Sequence, residues 1–211
     1  VDVSGSLAFG TTTQFKRDVV AELVATLAFS ASFNNDKVGL LAFTDRVEKY
    51  VPPRKGTKHV MRIVRELLAL RPEGRGTAIG PAIRELDRVL RQRSVVFVAS
   101  DFVDHDWETP LRAARQRHDI VPMVVQDRRE RELPRMGLVE FTDAETGERR
   151  LVDTGRRRVR RRFEAAAAAR DERRREVLRR MKIDPIEIDT GEDFIEPLTA
   201  YFHRRERRRS R

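Results

Sequence analysis

Three short runs of the chain, Val38 to Phe43, Val95 to Ala99 and Ile120 to Val125, are continuously apolar and rich in β-branched residues. A strand with one wet face alternates apolar and polar side chains. A run without alternation fits a strand covered on both faces, as in a parallel sheet. Around these runs the apolar period changes to that of a helix. Val20, Leu23, Val24 and Leu27 share one face, as do Val60, Ile63, Val64, Leu67 and Leu68, and then Ile79, Ile83, Leu86 and Leu90. Strands alternating with helices predict an α/β fold: a doubly wound, mostly parallel, Rossmann-like sheet with helices on both faces. Val47 to Val51 precedes Pro52-Pro53 and reads as a short edge strand, because paired prolines interrupt the ladder of a central one.

Beyond Val125 the alternation loosens. Leu138 to Thr142 and Arg149 to Val152 flank Asp143-Ala144-Glu145-Thr146-Gly147, a hairpin pattern whose glycine accepts a positive φ. A long helix is expected over about 157–181, with Val159, Phe163, Ala166, Ala167, Val177, Leu178 and Met181 as its less polar positions and an alanine run in the middle. Ile186 to Ile188 reads as a last strand and Asp193 to His203 as a last helix. The organisation expected is one domain over 1–203, the long helix being an insertion or extension, and a basic, frayed or disordered tail over 204–211. The sequence starts at Val1-Asp2-Val3-Ser4, which reads as the end of a strand with no methionine ahead of it. The expectation is therefore a truncated first strand and missing upstream sequence.

Composition narrows the chemistry. Cysteine is absent, so disulfides and thiolate metal sites are excluded and any metal must be held by oxygen or imidazole. No apolar run approaches the roughly 18 residues of a membrane span, and the N-terminus is not a secretory signal. These features predict a cytoplasmic protein, with membrane association through upstream sequence left open. The net charge is +10, and of the 44 basic residues only six are Lys. From Arg156 to the end there are 19 basic and 11 acidic residues, so +8 of the +10 lies in this helical C-terminal extension. Such a region suits either nucleic acid or an anionic membrane, or is simply a solvated Arg-rich helix face.

Chemistry-bearing residues gather at strand ends. Asp2-x-Ser4-x-Ser6 follows the first strand, Thr77 follows Gly74-Arg75-Gly76 and starts the helix of Ile79 and Ile83, and Asp101 follows the strand Val95 to Ala99. Three loops thus deliver two carboxylates and three hydroxyls to the carboxyl edge of one sheet, where open α/β folds bind ligands. The set is hard oxygen only. It suits Mg²⁺ first and Mn²⁺ or Ca²⁺ next, and it argues against Zn²⁺ and copper. Two carboxylates neutralise one divalent ion, and hydroxyls with water leave that ion able to accept a carboxylate from outside.

Asp2-Val3-Ser4-Gly5-Ser6 with Thr77 and Asp101 resembles the metal-ion-dependent adhesion site of von Willebrand factor A domains. The wider pattern is DVSGSLAFGT, DKVGLLAF, Pro52-Pro53, GTAIGPAI, VVFVASDF, and VQDRRERELPRMG followed by FTDAETGE. From Val1 to about Phe202 it resembles the bacterial domain of unknown function 58 group. That resemblance implies a von Willebrand factor A-like fold and a non-catalytic, metal-dependent protein-binding module. The implied partner is a MoxR-type AAA+ ATPase, engaged in assembly or maturation of a protein complex. It also implies that Ser4 and Ser6 bind the metal directly, Thr77 directly or through water, and Asp2 and Asp101 largely through water.

Phe9, Phe102 and Trp107 flank the expected crevice and read either as a partner-binding rim or as packing beneath the loops. Asp104 and Asp106 read as solvated loop acids. His59, His105, His118 and His203 show no ligand spacing, Ser4 lacks a nucleophile elbow, and no phosphate-binding P-loop is present. The competing reading is a Mg²⁺-dependent nuclease or phosphoesterase using Asp2, Asp101 and Asp104, with the Arg-rich tail holding the polymer. It explains the charge better and the hydroxyls worse. A metal-free scaffold is the third reading.

Overall fold

The computed structural model describes residues 1–8, 15–143 and 147–209. Its strands are β1 (Val38–Phe43), β2 (Val47–Arg54), β3 (Val95–Ser100), β4 (Asp119–Gln126), β5 (Leu138–Thr142), β6 (Arg149–Asp153) and β7 (Ile186–Asp189). Its helices are α1 (Lys16–Phe33), α2 (Thr57–Ala69), α3 (Ile79–Val89), α4 (Glu108–Arg117), α5 (Arg157–Arg180) and α6 (Ile195–Arg209). The architecture is mixed α/β. β3, β4 and β7 form a parallel sheet in that order, while β1–β2 and β5–β6 are antiparallel pairs.

Val1 to Val3 lies between β1 and β3. The Asp2 N–H donates to the Ala99 carbonyl at 2.9 Å, the Val3 N–H to Phe43 at 2.8 Å, and the Phe43 N–H returns to Val1 at 2.9 Å. The short first strand therefore ties the antiparallel pair to the parallel sheet. It also brings residues 2–6 beside the carboxyl ends of both β1 and β3.

The unbroken apolar runs have the cause expected of them. Val96 and Val98 of β3 pack with Val124 of β4 against Ile83, Leu111 and Leu178 of α3, α4 and α5. The intervening Ala99, Val121, Met123 and Val125 pack with Ile186 and Ile188 against Val20, Leu23 and Leu198 of α1 and α6. Both sheet faces are covered, so alternation has no polar side to serve. A third cluster, Leu40, Val51, Ile63 and Leu67, seats α2 on β1 and β2.

Several expectations need correction. Among the described residues β1 pairs parallel only with Asp2, through Phe43; its main partner, β2, is antiparallel. β2 does not stop at the prolines but runs to Arg54. The register shifts between Val38↔Arg54 and Leu40↔Val51 let the extra residue bulge, and on an edge strand proline's missing donor is harmless. α4 went unread because only Pro110, Leu111 and Ala114 are buried in a segment otherwise rich in Arg and Gln. The segment after His203 is not frayed at its start: α6 continues through it to Arg209, and Arg205 is ion-paired with Asp119. The hairpin, α5 and β7 lie where the sequence places them, with Gly147 at φ 73°. Among the described residues no helix is long and apolar enough to cross a membrane.

Candidate functional site

Ser4 is the hub of the carboxyl edge. Its Oγ lies 3.0 Å from Ser6 Oγ and accepts a hydrogen bond from Thr77 Oγ1 at 2.7 Å. Ser4 is buried, and residues 5–8 form a short 3₁₀ turn that carries Ser6 round beside it. Thr77 stands two residues before α3 rather than starting it. Its loop is pinned to the end of β1 by the Ala78 N–H donating to Thr44 O at 2.9 Å. Gly74 packs so tightly in that loop that a Cβ there would lie 2.1 Å from Thr44 Oγ1 and Asp45 Oδ1. Only glycine lets it approach the β1 end so closely.

Asp2 is fully buried. Its Oδ1 accepts from the Ser4 N–H at 2.9 Å and its Oδ2 from Ser100 Oγ at 2.7 Å. Burial, and secondly the charge of Asp101, push the Asp2 carboxyl up to about 6 against the hydrogen bonds that favour its ionised form. Asp101 accepts from the Val103 N–H at 3.1 Å and pairs with Lys16 Nζ at 3.4 Å. The structure thus brings Ser6 and Thr77 into contact with Ser4 and places Asp2 and Asp101 within one electrostatic neighbourhood.

Lys16, which the sequence does not single out, is the cation paired with Asp101. Its side chain is completely buried at the start of α1 and ion-paired with both Asp101 and Glu130. Glu130 in turn closes a capping box with Asp127, and burial pushes its carboxyl above the usual range despite Lys16. The one hint was compositional: where Arg supplies nearly all positive charge, each of the six Lys is conspicuous. Arg174, a second buried cation, donates to the Asp101 carbonyl at 3.4 Å and pairs with Asp171. Asp2, Asp101, Glu130 and Asp171 against Lys16 and Arg174 leave an excess of two negative charges when all are ionised, in surroundings that penalise unbalanced charge.

Phe102 and Trp107 are packed in the core, ring centroids 5.3 Å apart in an edge-to-face contact, instead of standing exposed on the rim. Phe102 does so at φ 56°, an uncommon conformation for a bulky residue. Phe9 lies outside the described residues. Asp104 is not a solvated acid: its Oδ2 accepts the first helical N–H of α3, that of Ile79, at 2.8 Å. Asp106 remains exposed, at φ 63°. Beside the hydroxyls a cavity of about 190 Å³, lined by Asp2, Ser4, Arg17, Leu68 and Gly74 among others, opens toward α2. Among the described residues no three His, Asp or Glu side chains cluster as a metal site would require of those types alone.

A mixed α/β protein with a hydroxyl-centred acidic edge is what fold and site define. The chain belongs to the DUF58 family (protein of unknown function DUF58), whose pattern matches residues 1–173. It is 35% identical over 150 residues to "Uncharacterized protein Rv1480" of Mycobacterium tuberculosis, covering 70% of this chain and 47% of that protein, and equally similar to "Uncharacterized protein Mb1516" of Mycobacterium bovis. An uncharacterized protein of Mycobacterium avium is 31% identical over 162 residues, covering 74% of this chain and 94% of its own. The chain therefore spans about half the length of the first two relatives. In fold it is similar to the crystal structure of the conserved hypothetical protein BatB from Bacteroides thetaiotaomicron. The TM-score is 0.56 at 15% identity, over 94% of this chain and 91% of that one.

Proposed function

We propose that the chain is a von Willebrand factor A-like, doubly wound domain that binds a partner protein through a divalent metal and catalyses nothing itself. The observation that carries this reading is the Ser4-centred trio of hydroxyls beside carboxylates whose charge Lys16 and Arg174 leave unbalanced by two. That donor set and that charge deficit fit Mg²⁺, with Mn²⁺ and Ca²⁺ as the other hard ions it accepts. Ser4, Ser6 and Thr77 would hold the ion, with Asp2 and Asp101 supplying charge through direct or water-mediated contact. When bound, the ion supplies a Lewis-acidic position for a carboxylate of the partner. The chain's own residues prepare that position: Ser100 and the Ser4 N–H orient Asp2, and Lys16 orients Asp101. The family resemblance and the absence of a P-loop make a MoxR-type AAA+ ATPase the proposed partner class, supplying the ATP hydrolysis.

The nuclease or phosphoesterase reading needs Asp104 as a third ligand, and that carboxylate is already spent on capping α3. The test is co-purification with a MoxR-type AAA+ ATPase of the same organism, in Mg²⁺ and in EDTA. Capture in Mg²⁺ alone, lost in a Ser4→Ala/Ser6→Ala double variant that still unfolds cooperatively, is the expected result. Capture unaffected by EDTA, or Mg²⁺-dependent turnover of oligonucleotides abolished by Asp101→Ala, would refute the reading.

A further inference from the structure

At the opposite, amino-terminal ends of β3 and β4 lies a much larger cavity, of about 680 Å³, walled by α4, the end of α5 and α6. Seven Arg and Lys side chains line it against only two acids, Asp119 and Asp184. Internal pairing accounts for part of this charge. Arg205 is paired with Asp119, Arg180 with Glu176, and Arg115 caps the end of α5 by donating to the Met181 and Lys182 carbonyls. The side-chain cations of Arg93, Arg112, Lys182 and Arg204 have no hydrogen-bond or ion-pair partner among the described residues. Four uncompensated cations therefore converge on one concavity, whose floor of Ile120, Met181 and Ile183 is apolar.

A second observation is backbone strain. Lys182 follows the last turn of α5 at φ 53°, in the position where helices commonly end on glycine. A lysine there costs on the order of 1 kcal/mol relative to a residue without Cβ. The residue so held lines the cavity with an ammonium that has no partner among the described residues.

We propose that this cavity is a binding site for a small phosphorylated molecule, held by Arg93, Arg112, Lys182 and Arg204 over the apolar floor. Its volume lies within the roughly 300–1,000 Å³ of small-ligand sites. Guanidinium forks match phosphate oxygens two at a time, and an ammonium adds a compact charge. The concavity favours a compact anion over a polymer, which needs a stripe of charges along an open groove. The site is independent of the proposed metal centre, at the other end of the sheet.

The experiment is calorimetric titration of the 211-residue chain with tripolyphosphate and, separately, with ATP, in EDTA and low salt. Binding of either probe is expected, with affinity falling as salt rises. An Arg112→Ala/Lys182→Gly variant is expected to lose at least about tenfold in affinity, while Lys182→Gly alone unfolds at the same temperature as the parent or higher, because glycine relieves the strain. Arg158→Ala/Arg170→Ala, which removes two exposed charges of α5 outside the cavity, is expected to bind normally. ATP binding tighter than tripolyphosphate would assign the apolar floor to a nucleoside; equal binding would assign the site to the phosphates alone, and both support the proposal. It is overturned if neither probe binds, if the control pair loses as much affinity as the cavity pair, or if a single-stranded oligonucleotide binds where both small probes fail.

Discussion

Asp2 carries conflicting demands in one side chain. Each of its oxygens accepts a hydrogen bond, one from Ser4 and one from Ser100, yet burial and the neighbouring Asp101 push its carboxyl up to about 6. A folded-state value raised from 3.8 means that the ionised group costs the metal-free fold stability. The cost is absent below the unfolded value, grows as pH rises through the window between 3.8 and about 6, and is complete above it. Asp2→Asn keeps an acceptor for the Ser4 N–H and offers Ser100 Oγ a donor, without the charge. In EDTA at pH 7.5 the variant is expected to be more stable than the parent by on the order of 2 kcal/mol, with a flatter stability profile between pH 4 and 6. It should also gain nothing from added Mg²⁺. Urea titrations across that pH range, with and without the ion, check all of this; a variant less stable than its parent in EDTA would show that the ionised carboxylate is not the burden described.

At the scale of elements, Asp104 joins the loop after β3 to the start of α3. Its carboxylate accepts the Ile79 N–H, and burial holds it above the ordinary aspartate range. Asp104→Ala is expected to cost about 1 kcal/mol in chemical denaturation, and Asp104→Asn much less, because asparagine caps nearly as well. Neither should alter metal-dependent stabilisation; a loss of that stabilisation in both would restore Asp104 as a ligand. This contact also marks where sequence reading stops. β3 and β4 were legible because burial on both faces writes itself as an unbroken apolar run, and Ser4, Ser6, Thr77 and Asp101 because loops after strands share one edge. The role of Asp104, the burial of Lys16 and the passage of β2 through Pro52-Pro53 depend on which partner arrives across the fold, and local pattern does not encode that. α4 was missed for a related reason: two turns resting on Leu111 and Ala114 leave too faint a period among arginines.

For the whole molecule, the consequence of this layout is polarity. The acidic, hydroxyl-bearing end and the arginine-rich cavity occupy opposite ends of the same strands, so a ligand at one end need not perturb the other except through the sheet. The hairpin β5–β6 stands apart from this arrangement. Among the described residues it hydrogen-bonds to no other strand, and Leu138, Leu151 and Met136 on it and beside it remain exposed. A two-stranded ribbon with so little burial is only marginally stable by itself, so its opening need not await unfolding of β4, whose interior residues are entirely buried. Hydrogen–deuterium exchange is expected to run on two clocks: the amides pairing Leu138–Thr142 with Arg149–Asp153 should be labelled within minutes, and those of Val121 to Val125 only at the rate of global unfolding. Equal protection of both would mean that something else steadies the hairpin. If the two rates separate, this strip of the chain is the part free to change shape while the sheet, and both of its ends, hold still.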